Sequence, residues 1–400
     1  MKAGWQRKQL GELAELKGRI GWRGLTAKEY TESGPLFLSV HSLNYGDYVD
    51  FRDAFHISEE RYIESPEIML QKDDVLICKD GAGIGKVGIV GELPDRTTIN
   101  SSLLLIRSGK SILPKLLYHC LCSPYFQEIV NSRLNGATTP HLYQRDITEF
   151  PVVLPPLPEQ QRIVGILDEA FEGIAIAKAN AEKNLQNARA LFKSHLHEVF
   201  SQRGEGWVEK SIKEITTHLG DGLHGTPQYT DDGEYYFVNG NNLDDGKIVF
   251  KENTKRVSVT EYEKYRKRLT ERTVLVSING TLGNVAFYNN EKIILGKSAC
   301  YFNLVDGVDK RFIKYIISSP YFLDYAHQEA TGATIKNVSL KSMRDFKVLL
   351  PSLVEQNAIV RKLDNLSSET QRLESIYQQK LAALDELKKS LLDQAFTGEL

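Results

Sequence analysis

The strongest constraint on this chain is that it repeats itself. Leu154-Pro-Pro-Leu-Pro-Glu-Gln-Gln-Arg-Ile-Val-Gly-Ile-Leu-Asp168 recurs as Leu350-Pro-Ser-Leu-Val-Glu-Gln-Asn-Ala-Ile-Val-Arg-Lys-Leu-Asp364, at a constant offset of 196 residues and without a gap. The same offset carries Ser123-Pro-Tyr-Phe126 onto Ser319-Pro-Tyr-Phe322, Gly136-Ala-Thr138 onto Gly332-Ala-Thr334, Phe150 onto Phe346 and Phe200 onto Phe396. Upstream the offset drifts, as it does where loops gain and lose residues. There Val75-Leu-Ile-Cys-Lys-Asp-Gly-Ala-Gly-Ile-Gly-Lys-Val87 parallels Val274-Leu-Val-Ser-Ile-Asn-Gly-Thr-Leu-Gly-Asn-Val285, and Trp5 with Leu10 parallels Trp207 with Ile212. A tandem duplication predicts two similar units, and 400 residues are too many for one ordinary core in any case. The shared positions read as scaffold. The unshared stretches, residues 20–35 against 223–234, are where two copies would acquire different specificities.

Each copy predicts a globular block followed by a helical one, with divisions at 1–153, 154–200, 201–349 and 350–400. In the globular blocks, short β-rich runs at 36–40, 75–78, 87–90, 103–106 and 274–277 are bounded by Gly, Asn and Asp turns, and helical patches follow at 113–133 and 311–329. The expected class is α+β, with a small antiparallel or barrel-like sheet in each block. Pro155, Pro156 and Pro158 stop the preceding strand, and a helix can begin at Pro158 because a missing N–H does no harm in a first turn. Placing Leu167, Ile174, Ala181, Ala188 and His195 at heptad a puts Ala170, Ala177, Asn184, Leu191 and Glu198 at d. The second copy gives Leu363, Thr370, Tyr377, Leu384 and Leu391 at a, with Leu366, Leu373, Lys380, Leu387 and Gln394 at d. Both seams are mostly apolar, one small and one large, so the two helices are expected to pair antiparallel as a coiled coil within the chain. A helix of about 40 residues rises about 60 Å, enough to set the distance between two blocks.

Composition narrows the function classes. Hydrophobic residues make up 41% and charged residues 26%, which is ordinary globular usage and predicts real cores. No run reaches the ~20 apolar residues of a membrane span and the N-terminus opens no signal-peptide core, so a cytoplasmic location is expected. Of four Cys, only Cys120 and Cys122 are close, with no second pair or His cluster to complete a zinc site; all read as reduced thiols, and no metal is expected. A net charge of −2 gives no global basic footprint, so any nucleic-acid surface must be local.

The two Leu-Pro-x-Leu-x-Glu-Gln helix openings (154–160 and 350–356), the Leu392-Asp-Gln-Ala-Phe-Thr-Gly-Glu-Leu400 ending and Asp221-Gly-Leu-His-Gly-Thr-Pro227 together resemble the specificity (S) subunits of type I restriction-modification enzymes. The resemblance covers essentially the whole chain, and the block order matches that family's two target-recognition domains and two conserved helical regions. It implies a protein that chooses a double-stranded DNA sequence and docks two methyltransferase (M) subunits and the restriction/translocase (R) subunits. It implies no chemistry and no cofactor in this chain, with S-adenosylmethionine, ATP and Mg2+ on the partner subunits. Glu159, Gln160, Glu355 and Gln356 at the helix starts, and Phe200 and Phe396 at the helix ends, are then the positions expected to meet partners. The departures are Val354 where the first copy has Pro158, and Phe200-Ser-Gln-Arg-Gly where the second copy has Phe396-Thr-Gly.

No intact catalytic motif is found. Asp80-Gly-Ala-Gly-Ile-Gly-Lys86 is not a P-loop, because only three residues separate Gly81 from Gly85 and Val87 stands where Ser or Thr should hold Mg2+. It reads either as a strand-to-strand turn or as a turn whose amides approach a DNA phosphate, which makes Lys79, Lys86, Asn279 and Thr281 candidates. The Ser-Pro-Tyr-Phe pairs are near-misses of an adenine methyltransferase tetrapeptide and read as helix starts with Ser at the cap and Pro in the first turn. His195 and His197 point to different helix faces and do not form a metal pair. Further DNA-contact candidates are Thr138, Thr139 and His141 in the first copy and Thr334 and Lys336 in the second, then Arg19, Arg23, His224, Thr226, Arg266, Lys267 and Arg268. The rival readings are a stand-alone nucleic-acid enzyme and a coiled-coil scaffold without sequence readout.

Overall fold

The computed structural model describes every residue except 1, 3, 20–24, 135–140, 203 and 333, and does not describe the side chains of 82, 133 and 134. The chain divides into two units, Met1–Ala181 with Gln379–Leu400, and Glu182–Gln378. Each contains one globular block and a stretch of both long helices, Leu157–Ser201 and Leu353–Thr397. The helices run antiparallel in both units. In the first, Lys178 pairs with Asp385 while Arg162 donates to the Leu400 carbonyl at 2.7 Å. In the second, Arg189 meets Glu374 at 3.0 Å while Leu196 and Phe200 share a core with Val360 and Leu363.

The blocks repeat the same topology. The first has an antiparallel four-stranded sheet in the order Ala14–Gly18, Leu103–Ser108, Val75–Cys78, Val87–Ile89. The second has Thr216–Asp221, Ala299–Leu304, Thr273–Ser277, Val285–Phe287 in the same arrangement. Each block is also closed by a ribbon joining its first strand to its last, Gln6–Gln9 with Pro151–Leu154 and Val208–Ser211 with Lys347–Leu350. The central strand is buried on both faces. Val75 and Ile77 enter the cluster shared with the long helix, whereas Leu76 and Cys78 enter a second cluster behind the sheet. Val274 and Val276 are separated from Leu275 in the same way. Alternation of side chains along a strand makes one apolar run serve two cores.

A second, three-stranded sheet was not expected. It is ordered Phe55–Ile57, Tyr30–Leu38, Thr97–Ile99 in one block and Arg256–Val257, Tyr235–Val238, Ile293–Leu295 in the other, and in each the last pair is parallel. Parallel neighbours need a long crossover. Here the crossover includes strands of the larger sheet, and no local sequence pattern reveals such a pairing.

The heptad assignment holds at a but not throughout at d. Leu167, Ile174, Ala181 and Leu363 are buried, yet the d residues Leu191 and Leu387 are 66% and 46% exposed. Past Ala181 and Tyr377 the partly buried or buried line moves to Leu185, Phe192 and Val199, and to Leu381, Lys388 and Ala395. A straight helix of 3.6 residues per turn drifts about 20° per heptad, which turns position d outward and e inward.

An aspartate at the same place in each long helix meets its block. Asp168 receives Lys115 at 2.9 Å and lies 3.4 Å from His119 Nε2. At the equivalent positions Asp364 accepts the Tyr315 hydroxyl at 2.6 Å, with Arg311 at 3.9 Å. Burial pushes the His119 imidazole down to about 4, against the opposing pull of Asp168, so the ring is neutral near pH 7.

Candidate nucleic-acid interface

In the second unit the strand Thr273–Ser277 ends in the turn Asn279-Gly-Thr-Leu-Gly-Asn284 before Val285–Phe287. Gly280 and Gly283 take φ of +77° and +80°, and a Cβ on Gly283 would come within 2.6 Å of Leu323. The glycines therefore make the turn possible. Ser277 pins it, donating to the Thr281 carbonyl at 2.6 Å and accepting from the Asn284 amide at 2.9 Å. A second loop is tied to this turn. The Gly280 amide donates to the Lys336 carbonyl at 2.9 Å, Asn279 Nδ2 donates to Asn337 Oδ1 at 3.1 Å, and Thr331 and Asn337 exchange backbone bonds at 3.0 and 2.9 Å. The candidates Asn279, Thr281, Thr334 and Lys336 are thus brought together, the last three exposed.

The first unit repeats the bridge with different side chains. Asp80 stands in the place of Asn279 and His141 in that of Asn337, paired backbone to backbone, with His141 Nδ1 against Asp80 Oδ1. The Gly-rich run is the expected strand-to-strand turn, between Val75–Cys78 and Val87–Ile89. Lys79 is half-buried, and Lys86 is exposed with its ammonium donating to Asn44 at 2.6 Å. Thr138, Thr139 and Arg23 lie outside the described residues.

Beside the second unit's bridge opens a cleft of about 460 Å³ walled by Asp221, His224, Asn279, Lys297 and Asn337. His224 is exposed and its Nε2 lies 2.6 Å from Asp221 Oδ2. On either side of the exposed Thr226 the chain follows the three-stranded sheet, bridging Leu223 to Gly296 before it and Tyr229 to Val257 after it. Lys297 and Asn337 escaped sequence reasoning. For Asn337 a signal existed, because it stands at the repeat offset from His141. Arg266 pairs with Glu263 at 3.1 Å just past the helix Val259–Tyr265, and Lys267 and Arg268 follow, exposed. None of the three lines this cleft.

Several expectations are corrected. Arg19 is 3% exposed and donates to the Ile99 carbonyl at 3.1 Å and to Ser65 and Thr98 at 3.4 Å, with its guanidinium 5.5 Å from the Phe37 ring. A buried charge is tolerated only when hydrogen-bonded, so Arg19 is an internal cross-link between the sheets and not a phosphate contact. Gln160 and Gln356 are fully buried and face the block, not a partner. Gln160 accepts from the Leu113 amide and donates to the Ser111 and Pro155 carbonyls, each at 2.9 Å. Gln356 accepts from the Asp309 amide at 2.8 Å and donates to the Gly307 and Pro351 carbonyls at 3.1 and 2.9 Å. Phe200 is a core residue and Phe396 is partly buried against the first core. The half-buried Glu159 is held by Arg162 at 2.8 Å, and the exposed Glu355 accepts from the Trp207 indole at 2.8 Å. At the Ser-Pro-Tyr-Phe pairs, Pro124 and Pro320 do open helices, but both Ser hydroxyls donate back to the preceding helix, and only Ser123 also accepts an amide, from Phe126.

Among the described residues no helix is long and apolar enough to cross a membrane, and no group of three or more His, Cys, Asp or Glu is placed to hold a metal. The model of the type I restriction modification DNA specificity domain matches residues 2–187 and 204–382. The specificity subunit of the type I restriction enzyme EcoBI of Escherichia coli is 23% identical over 316 residues, covering 72% of this chain and 65% of that subunit. The StySPI specificity subunit of Salmonella potsdam is 21% identical over 430 residues, covering 99% and 89%. In fold, a chain from a solved type I R-M system superposes with a TM-score of 0.82 at 20% identity, covering 100% of this chain and 99% of that one. The HsdS subunit of Thermoanaerobacter tengcongensis gives 0.62 at 18% identity, covering 100% and 98%.

Proposed function

The chain belongs to the family of type I restriction-modification DNA specificity domains, and from that premise we propose that it selects a bipartite duplex DNA site, one half-site for each unit. The carrying observation is the duplicated bridge. The same Gly-containing turn is tied to the same loop in both units, while the paired side chains differ, Asp80 with His141 against Asn279 with Asn337. A shared frame with different donors and acceptors is what two readers of different half-sites require, since base edges are told apart by their donor and acceptor patterns. With net charge near zero, affinity comes from local contacts to phosphates and falls steeply with salt.

On this reading the long helices dock two M subunits and the R subunits, the assembly works in the cytoplasm, and the chain is no enzyme and carries no cofactor of its own. S-adenosylmethionine, ATP and Mg2+ belong to the partners. A stand-alone enzyme would need one complete catalytic arrangement, and a pure scaffold would not need two blocks with diverged loops. The test is a block exchange. With the cognate methyltransferase co-produced, replacing residues 201–349 by the equivalent block of a related subunit should change one half of the methylated motif and leave the other half and the spacer intact. A motif altered in both halves, or in neither, overturns the proposal.

A further inference from the structure

Resting on that reading, we infer that Arg256 reads a guanine in the half-site of the second unit. Arg256 lies on the short strand Arg256–Val257 of the three-stranded sheet, beside the segment that differs between the copies; its carbonyl accepts from the Thr230 amide at 3.0 Å. Its guanidinium carbon sits 4.9 Å from the Tyr236 ring centre and it donates to the Tyr236 hydroxyl at 2.9 Å. Tyr236 is itself stacked on Phe250, centroids 4.2 Å apart. Arg256 also lines an open concavity of about 420 Å³ with Tyr229, Thr230, Asn253 and the carboxylates Asp231 and Glu252, neither of which pairs with it.

Two comparisons within the molecule separate this arginine from the rest. Other arginines stacked on rings in exposed positions are neutralised by a carboxylate, Arg52 by Asp50 and Arg96 by Glu59. Among the described residues Arg256 has no carboxylate within 4.0 Å. An aromatic shelf and one hydrogen bond hold the planar fork without quenching its charge, so little rotamer freedom remains to be lost when the remaining N–H groups engage a bidentate acceptor. The second comparison is register. Tyr236 pairs with Arg256 as Leu36 pairs with His56 in the first unit, and His56 instead contacts the Gly34 carbonyl at 2.7 Å. A grip on the DNA backbone would serve both half-sites alike, because the backbone is the same in each. A side chain that differs at identical register is suited to base identity, and the N7 and O6 acceptors of guanine fit the arginine fork.

The experiment uses the complete chain with its methyltransferase subunits. The methylated motif is mapped for the wild type, Arg256→Lys, Arg256→Gln and Tyr236→Phe, and binding is measured on duplexes with single base-pair changes across a range of salt. Both Arg256 variants should lose about ten- to a hundredfold of discrimination at one G·C pair of one half-site, leaving the other half-site and the melting profile unchanged. Tyr236→Phe should weaken the same position less. An unchanged motif, a second half-site without guanine, or a loss equal for all sequences with a reduced salt slope would overturn the inference, the last by marking a phosphate contact. If the wild type itself read no bipartite site, the proposed function would fall, and this inference with it.

Discussion

Truncating either buried helix-start glutamine should unseat a block from its helix. In Gln356→Ala the three bonds to the Asp309 amide and the Gly307 and Pro351 carbonyls are lost together, in a place where the side chain is fully buried. At roughly 1 kcal/mol for each neutral bond, with the orphaned backbone groups shut away from water, the loss is about 3 kcal/mol. Gln160→Ala removes the same three bonds from the first unit and should cost the same. Gln356→Glu keeps the shape but turns an acceptor toward two carbonyls, so it should cost at least as much. Urea unfolding of the isolated chain, followed by tryptophan fluorescence, reads both units, because Trp5 and Trp207 are buried in different ones. With an m-value of about 2–3 kcal/mol/M the midpoint should fall by roughly 1 M. The comparison variant is Glu159→Ala, which breaks a partly exposed i,i+3 pair with Arg162 whose loss should cost under about 1 kcal/mol. If the glutamine variants unfolded like Glu159→Ala yet failed to bind methyltransferase subunits, the glutamines would be partner contacts and the clamp assignment would be wrong.

Acid should weaken the first unit more than the second. His119 is neutral in the fold at about 4, whereas the unfolded imidazole titrates near 6.5, so between those values the unfolded chain binds more protons. Stability is therefore complete above pH 6.5 and declines by roughly 3 kcal/mol as the pH falls toward 4. His119→Tyr, which installs the residue of the second copy, should flatten that slope in thermal melts over this pH range; an unaltered slope would place the titration elsewhere. Along the helices, Leu191→Gln and Leu387→Gln should change stability by no more than about 0.5 kcal/mol because both side chains face water. Ala181→Leu, overpacking a fully enclosed seam site, should cost about 1–3 kcal/mol by the same melts. The reverse order would restore the strict heptad seam.

The parts legible in the sequence were those carried by local periodicity and by duplication. Short β-rich runs such as 75–78 and 274–277 became central strands, and the helix starts after Pro155 and Pro351 were right within a residue or two. Pairings across sixty residues, such as Leu36 with Thr97, leave no local trace. Side-chain polarity is also a poor guide to burial here. Arg19 and the helix-start glutamines look like surface groups in a sequence, and only the fold brings the carbonyls that bury them. The candidate interface was half legible, because the two Gly-containing segments were each visible but their bridge was not.

The duplication also sorts the residues it preserves from those it alters. On the helix side of each fastening nothing changes, since Asp168 and Asp364, like Gln160 and Gln356, occupy equivalent places and take equivalent bonds. On the block side the donors vary, Lys115 and His119 in one copy and Arg311 and Tyr315 in the other, always at i and i+4 of the helix that follows the larger sheet. A carboxylate accepts from any of these, and a glutamine amide asks only for backbone groups, which every sequence supplies. The mount therefore places few demands on what it carries. Such a mount lets the residues proposed to face DNA, among them Arg256 where the other copy has His56, diverge without disturbing how a block is held. On the proposed reading, a block exchange between related subunits should for that reason change half a motif while leaving the seat beneath it intact.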